Sequence, residues 1–323
     1  MPPSTIGKDN TDEITCIAAS PYSAELVAGY ASGHVIVYDV DTGKRVRSFL
    51  KPSKVKAVAF GHRYIVWGYE NGDAFKWSNE DGAVPAQLVH PYLSQPSIRA
   101  IAVYHNTAAI ALIDGRVRPW NLIDAYRTPS LMHVSPVTTV AFSFDGRLLA
   151  VGTEAGTICV WSTDEWNIID RYNLGDHPIT QVVFKDEVDG FYAFNGGMWQ
   201  CFSGYHTRLR ERWTEKTKFI TMAPNGRFFM ETGQHGYFML NWIRNPNHVR
   251  GYGVDREKPA VGIAVSSCSQ YAFYTNGTNG VRVYDIFEEE REAIYAMLAS
   301  TPLYKTDGDR AISINVFKLL TQQ

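Results

Sequence analysis

The chain has 323 residues, of which 45% are hydrophobic and 20% charged, and this balance excludes the disordered and collagen-like classes. Its 31 basic and 33 acidic residues give a formal net charge of -2, so no overall field favours nucleic acid or an anionic membrane. Because the sequence shows neither an apolar signal-peptide core nor an apolar stretch of membrane-spanning length, we expect an intracellular protein, cytoplasmic or nuclear.

Residues 1–13 form a polar, proline-bearing segment, which predicts a poor strand. After this segment, short β-branched runs recur at intervals of about 40 residues, the period of propeller blades. They open at Ile14, Val55, Ile98, Val137, Ile179, Phe219 and Val261. The repeat predicts seven structural units within one domain that covers residues 14–323.

Two further markers recur in step with these runs. A glycine between two apolar runs predicts a tight turn that needs a positive φ, and it occurs at Gly33, Gly72, Gly115, Gly156, Gly197, Gly236 and Gly280. A bulky, mostly aromatic residue follows each of them, at Tyr38, Trp77, Trp120, Trp161, Phe202, Trp242 and Tyr284. The seven units differ in length, and the insertions and deletions fall between the markers, where surface loops tolerate them.

The fourth unit shows the internal pattern best. Apolar runs at 137–142, 147–151, 157–161 and 168–172 are separated by turn residues such as Asp145 and Gly146, which predicts four antiparallel strands. Its residues 137–162 resemble a blade of the WD-repeat family, and the runs at 35–39 and 281–285 are similar, with Tyr where the family has Trp.

This resemblance implies an all-β fold, a seven-bladed β-propeller of four-stranded antiparallel blades. The units that begin near 179 and 219 match least, so an eight-bladed or irregular ring is the alternative. The histidine of the family's Gly-His pair is recognisable mainly as His177, which puts the family's buried polar relay in doubt in most blades.

Closure of the ring requires a fourth strand for the last blade. In residues 311–317 apolar and polar side chains alternate, as in a strand. We therefore expect this segment, rather than the polar N-terminal segment, to be the closing strand. Between them and the last marker, residues 286–310 predict a helix and loop insertion, with acids early and apolar residues later. The helix is either packed decoration or a docking element for a partner.

The sequence contains none of the spacings that common catalytic chemistry demands. It has no phosphate-binding loop, no zinc motif and no nucleophile elbow. The four cysteines are scattered, without metal or redox spacing. We therefore expect no catalytic residue, no cofactor, no metal and no small-molecule substrate; a propeller enzyme is the disfavoured alternative.

The resemblance implies that the faces of the ring bind peptides or proteins. Residues after the second strand of each unit should rim one face, with Tyr30 and Tyr69 as rigid, amphipathic anchors. The candidate partner-binding set is Tyr30, Tyr69, Glu70, Glu154, Gln234 and His235.

A second candidate is a basic run in the fifth unit. It comprises Arg208, Arg210, Arg212, Lys216 and Lys218, and it could meet an acidic protein or nucleic acid. The leading hypothesis is a non-catalytic protein-interaction scaffold or sensor within a larger assembly. The alternative is an RNA or ribonucleoprotein assembly factor that uses this patch; membrane binding is not expected.

Overall fold

The structure is a computed structural model of the chain. It describes residues 2–78, 83–88, 96–124, 126–127, 129–184, 190–195, 198–203, 207–213, 219–224, 227–232, 237–242, 249–253, 259–278 and 280–287. Regular structure in these ranges is β-strand only. The predicted helix in 286–310 and the predicted strand at 311–317 fall, apart from residues 286 and 287, outside the described residues.

The strands are numbered in chain order and are mostly five to seven residues long. They are β1 (Thr5–Ile6), β2 (Ile14–Ala19), β3 (Glu25–Tyr30), β4 (His34–Asp39), β5 (Arg45–Leu50), β6 (Val55–Phe60), β7 (Tyr64–Tyr69), β8 (Ala74–Ser78), β9 (Ala86–Gln87), β10 (Ile98–Tyr104), β11 (Thr107–Leu112), β12 (Arg116–Asn121), β13 (Tyr126–Arg127), β14 (Leu131–Met132), β15 (Val137–Phe142), β16 (Leu148–Thr153), β17 (Thr157–Ser162), β18 (Ile168–Asn173), β19 (Ile179–Phe184), β20 (Phe191–Asn195), β21 (Met198–Ser203), β22 (Thr207–Trp213), β23 (Phe219–Met222), β24 (Phe228–Thr232), β25 (Tyr237–Trp242), β26 (Val249–Gly253), β27 (Gly262–Val265), β28 (Tyr271–Thr275) and β29 (Val281–Asp285).

These strands pair into small antiparallel sheets, which we number along the chain. Sheets 1 and 2 are β2–β5 and β6–β9, sheet 3 is β10–β14, and sheets 4, 5 and 6 are β15–β18, β19–β22 and β23–β26. Sheet 7 has the order β1-β29-β28-β27. In sheet 3 the outer position is shared by two short strands, β13 and β14, which both pair with β12. The first residues predicted for six units coincide with strand starts, and the last differs by one residue.

The first strand of each sheet lies innermost, against the first strands of its neighbours. β2 contacts β6, β6 contacts β10, and the series continues through β15, β19 and β23 to β27, which contacts β2. Strands A, B, C and D denote the positions from this inner strand outwards. The described residues are thus an all-β propeller of small antiparallel blades. The turns between strands B and C lie at one end of the ring, which we call the BC end. The turns between strands A and B lie at the other end, which we call the AB end.

The hydrophobic core is divided among the interfaces between neighbouring sheets. One cluster joins Val27 and Val35 of sheet 1 to Trp67 and Trp77 of sheet 2, and equivalent clusters join sheets 2 and 3, 3 and 4, and 4 and 5. A further cluster joins sheet 1 to Phe273 of sheet 7. Each sheet is therefore stabilised by its neighbours, because one sheet cannot bury both of its faces alone.

Side-chain hydrogen bonds also join neighbouring inner strands. The Thr15 hydroxyl donates to the carbonyl oxygen of Val55 at 2.7 Å, and the Thr138 hydroxyl donates in the same way to Ile179. Each threonine is the second residue of its A strand, and each acceptor is the first residue of the next A strand. These bonds fix the register between adjacent sheets.

The predicted glycine turns are confirmed at the five marker positions that the structure describes. Gly33, Gly72, Gly115, Gly156 and Gly280 all have φ between +75° and +96°. At Gly33 and Gly156 a Cβ atom would also collide with a backbone carbonyl oxygen, of residue 51 and of residue 175 respectively. Another residue at these two turns would need both an unfavourable φ and a displaced backbone.

The outer strand of sheet 7 differs from the expectation. The sequence favoured residues 311–317 for this position, but β1 occupies it, with Thr5 opposite Arg282 and Ile6 opposite Val281. Ile6 is 1% exposed and belongs to the cluster between sheets 1 and 7. The polar composition of residues 1–13 was misleading because a two-residue ladder needs only backbone groups and one apolar side chain.

Candidate functional site

Tyr30 and Tyr69 end the B strands of sheets 1 and 2, at the BC end where they were expected. Their side chains, however, point into the core, and each residue is only 1% exposed. The Tyr30 hydroxyl lies 2.7 Å from the Tyr38 hydroxyl, and the Tyr69 hydroxyl accepts from Trp67 Nε1 at 3.1 Å. Burial raises the pKa of both phenols. The expected surface position of these two anchors is therefore corrected: they are packing residues.

The two acidic candidates at this end are accessible and carry ion pairs. Glu70 Oε1 lies 3.6 Å from Lys56 Nζ, and Glu154 Oε1 lies 3.0 Å from Arg99 Nη2. The side chains of Arg99 and Glu154 are 40% and 41% exposed. Solvent screens such pairs, so each contributes at most about 1 kcal/mol to stability.

The cations of these pairs come from equivalent positions on neighbouring sheets. Lys56 and Arg99 are the second residues of β6 and β10, where Thr15 and Thr138 stand in sheets 1 and 4. The threonine hydroxyls are satisfied by backbone carbonyls, whereas the longer cationic side chains reach the end of the ring. Sheets 2, 3 and 4 therefore contribute paired charges at the BC end.

Charged side chains continue outwards along this end. Lys51 and Asp73 are paired at 2.7 Å, and Arg116 pairs with Asp114. Charges of both signs alternate here on rigid strands and tight turns, an arrangement that suits directional recognition of a polar surface. Sequence reasoning did not identify the cationic half of this surface, because a lysine or arginine within an apolar run does not reveal which end of the strand it reaches.

Three residues of the basic run, Arg208, Arg210 and Arg212, lie in β22. In β22 the register places Arg210 opposite Cys201 but Arg208 opposite Phe202, with a bulge between them. Since Cys201 and Phe202 are adjacent in β21, Arg208 and Arg210 take register positions on opposite faces of the sheet. Arg212 is paired with Trp199 in the same ladder.

Other candidates cannot be placed. Gln234, His235, Lys216 and Lys218 lie outside the described residues. Among the described residues, no group of three or more His, Cys, Asp or Glu side chains could hold a metal ion. No helix with the length and apolar character of a membrane span occurs in the described part of the chain.

A histidine–tryptophan contact was missed by the sequence analysis. Trp161 Nε1 donates to His133 Nε2 at 3.2 Å, and His133 Nδ1 lies 3.1 Å from the Gly115 carbonyl oxygen, to which it donates. Burial lowers the pKa of His133, consistent with a neutral ring that accepts from the indole. His177, the histidine chosen from the sequence, is exposed. The signal that could have found His133 is its position before the first strand of the best-matching unit.

Comparisons with known proteins agree with this architecture. Residues 3–39 and 128–162 match the family "WD domain, G-beta repeat", and these two segments contain the β4 and β17 runs that carry the resemblance. The chain is also 24% identical over 260 residues to a protein of Dictyostelium discoideum described as "Periodic tryptophan protein 2 homolog". That alignment covers 78% of this chain and 26% of the relative, so the chain spans about a quarter of the relative's length. The two family matches and the propeller arrangement of the described sheets together support assignment to the WD-repeat β-propeller family.

Proposed function

We propose that the protein is a non-catalytic interaction scaffold that holds other proteins within a larger assembly. The supporting observation is the charged BC end, where Lys56 and Arg99 on neighbouring inner strands pair with the accessible carboxylates of Glu70 and Glu154. Ion pairs on a rigid scaffold can exchange their partners for those of an incoming surface without rearrangement of the backbone, which gives recognition at little entropic cost.

We further propose that the seven sheets are the seven blades of one closed ring. Contacts of the inner strands all the way round to β27 and β2 support this count, as does the completion of sheet 7 by β1. A ring closed in this way has no free edge between its first and last blades. Its role is then to position side chains at the two ends rather than to move.

The name of the relative, "Periodic tryptophan protein 2 homolog", states no role, and this chain spans about a quarter of its length. The expected location, inside the cell in the cytoplasm or nucleus, stays a proposal. The alternative of an RNA or ribonucleoprotein assembly factor acting through the basic run rests on the sequence alone, since Lys216 and Lys218 lie outside the described residues.

The test compares partners recovered by the chain with those recovered by charge-reversed variants. Glu70→Lys combined with Glu154→Lys should abolish recovery of partners that bind the BC end, while leaving the thermal unfolding midpoint nearly unchanged because both carboxylates are accessible. Asp164→Lys combined with Glu165→Lys, two residues in a turn at the opposite end, is the matched control. Equal recovery by both double variants and the unmodified chain would remove the BC end as the binding surface.

A further inference from the structure

Aromatic and imidazole rings contact one another in series at the AB end, away from the ion pairs of the BC end. Tyr22 and His62 have centroids 4.9 Å apart, His62 and His105 6.0 Å, and His105 and Tyr104 4.4 Å. The four residues come from the A–B hairpins of sheets 1, 2 and 3. We call Tyr22, His62, His105 and Tyr104 the ring series.

The ring series is accessible yet held in place. Tyr22 is 54% exposed, and His62 and His105 are also exposed. Tyr104 is half-buried and lies over Gly146 of sheet 4, where a Cβ atom would collide with its ring. It also lies near Phe142, at a centroid distance of 6.2 Å. One end of the series is therefore fixed by packing while the other faces solvent.

His105 has a backbone conformation that does not require a histidine. Its φ is +47°, in the left-handed region where glycine and asparagine are the favoured residues. The turn joins Tyr104 to Thr107 and would form at least as well with asparagine at this position. The local fold therefore does not require an imidazole at position 105. The imidazole adds the ring contacts with His62 and Tyr104.

Two arginines are close in sequence to this series, Arg63 after His62 and Arg147 after Gly146, the glycine that the Tyr104 ring covers. Arg63 follows His62 and is exposed, and among the described residues it makes no ion pair. Arg147, whose side chain is 78% exposed, lies 3.8 Å from Asp145 in a loose, solvent-screened pair. Within the A–B turns of the first four sheets, therefore, two accessible cations accompany one accessible carboxylate.

We propose that the ring series binds a short stretch of single-stranded nucleic acid by stacking. Exposed rings combined with neighbouring cations are the general means of holding unpaired bases with little sequence preference. The planes of His62 and His105 are within 27° of parallel, with ring centroids 6.0 Å apart, so the two rings have similar orientations. Because both histidines are exposed, unpaired bases can stack on their rings. Arg63 and Arg147 then meet the phosphates.

Fluorescence anisotropy of labelled twelve-nucleotide RNA and DNA of mixed sequence, at low salt, tests this proposal. We expect both single strands to bind and a duplex of the same sequence to bind at least about tenfold more weakly, because its bases are already stacked and paired. His62→Ala should weaken single-strand binding about tenfold. His177→Ala, which removes an exposed histidine at the other end of the ring, is the matched control and should leave the Kd unchanged.

Two further variants separate stacking from structural effects. His105→Asn should keep or raise the thermal unfolding midpoint, because asparagine tolerates the left-handed turn, yet weaken single-strand binding about tenfold. His62→Phe should retain binding, because a phenyl ring also stacks. Preferential binding of RNA over DNA would identify the 2′-hydroxyl as an additional contact and would support the proposal in its RNA form.

The proposal is overturned if no oligonucleotide binds, if duplex and single strand bind equally, or if His62→Ala and His177→Ala give the same Kd. It is also overturned if Arg210→Glu with Arg212→Glu abolishes binding while His62→Ala does not, since the site would then lie on β22. None of these outcomes affects the recovery of protein partners that bind the BC end. This inference and the scaffold function are therefore tested separately.

Discussion

The hydroxyl oxygens of Tyr30 and Tyr38 lie 2.7 Å apart beneath Gly7, the residue that follows the strand completing sheet 7. A Cβ atom at Gly7 would come within 2.8 Å of the Tyr38 hydroxyl, and Gly7 has a φ of +68°. The tyrosine pair therefore supports the passage of the N-terminal segment from sheet 7 to sheet 1. Tyr30, which looked like a surface anchor in the sequence, instead packs against the segment that joins sheet 7 to sheet 1.

Substitution of these tyrosines should change stability rather than recognition. Tyr30→Phe removes a buried hydroxyl and its partner's hydrogen bond, so we expect a loss of about 1 kcal/mol in the free energy of unfolding. Tyr30→Ala removes a buried ring as well and should cost about 3–5 kcal/mol. Denaturant titration measures both. Tyr22→Ala, at an exposed tyrosine, should stay within about 0.5 kcal/mol of the unmodified chain; similar losses for Tyr22 and Tyr30 would contradict the burial described here.

Ile6 should carry the closure of the ring. Because it is 1% exposed between sheets 1 and 7, Ile6→Ala should lower the free energy of unfolding by about 2–5 kcal/mol. Ile123, in a turn and 58% exposed, provides the matched control, for which Ile123→Ala should have an effect near zero. If Ile6→Ala is as mild as its control, β1 does not complete sheet 7 in solution.

Protonation of His133 should destabilise the fold. Burial lowers its pKa in the folded state, so the unfolded chain binds the proton more readily, starting near the ordinary value of about 6.5. The stability contributed by His133 is thus complete above pH 6.5 and is lost as the pH falls from there through its lower folded-state pKa. A protonated ring also cannot accept from Trp161 Nε1.

The measurement is the free energy of unfolding between pH 5 and 8 for the unmodified chain and for His133→Asn. We expect the variant to be less stable at pH 8 and to show a flatter pH dependence between pH 5 and 6.5. His177→Asn should reproduce the profile of the unmodified chain, since that imidazole is exposed. Parallel profiles for all three proteins would show that His133 does not titrate with folding.

Thiol reactivity should follow burial. Desolvation raises the pKa of Cys16 to about 11 and also raises that of buried Cys159, whereas Cys268 is exposed. Because the thiolate is the reactive form, iodoacetamide at pH 8 should label Cys268 well before Cys16 and Cys159, as read by peptide mass spectrometry. Denaturant should equalise the rates. Early labelling of Cys16 in the native protein would mean that sheet 1 opens readily.

The sequence by itself determined the repeat, and with it most of the fold. Glycines such as Gly33 and Gly156 and bulky residues such as Trp161 recur because each sheet needs the same tight turn and the same large side chain in the interface with its neighbour. These are local requirements of one hairpin pair, so they leave a periodic record in the chain.

Only the tertiary structure decided which side chains reach the surface and which strand completes sheet 7. Tyr30 and Glu70 both follow apolar runs at the same end, but pleating and the contact with the next sheet turn one inwards and leave the other exposed. Ile6 joins the core through pairing with a strand about 275 residues later, and His62 meets His105 only because two hairpins lie side by side. Such contacts depend on the packing of sheets distant in sequence, and local patterns do not encode them.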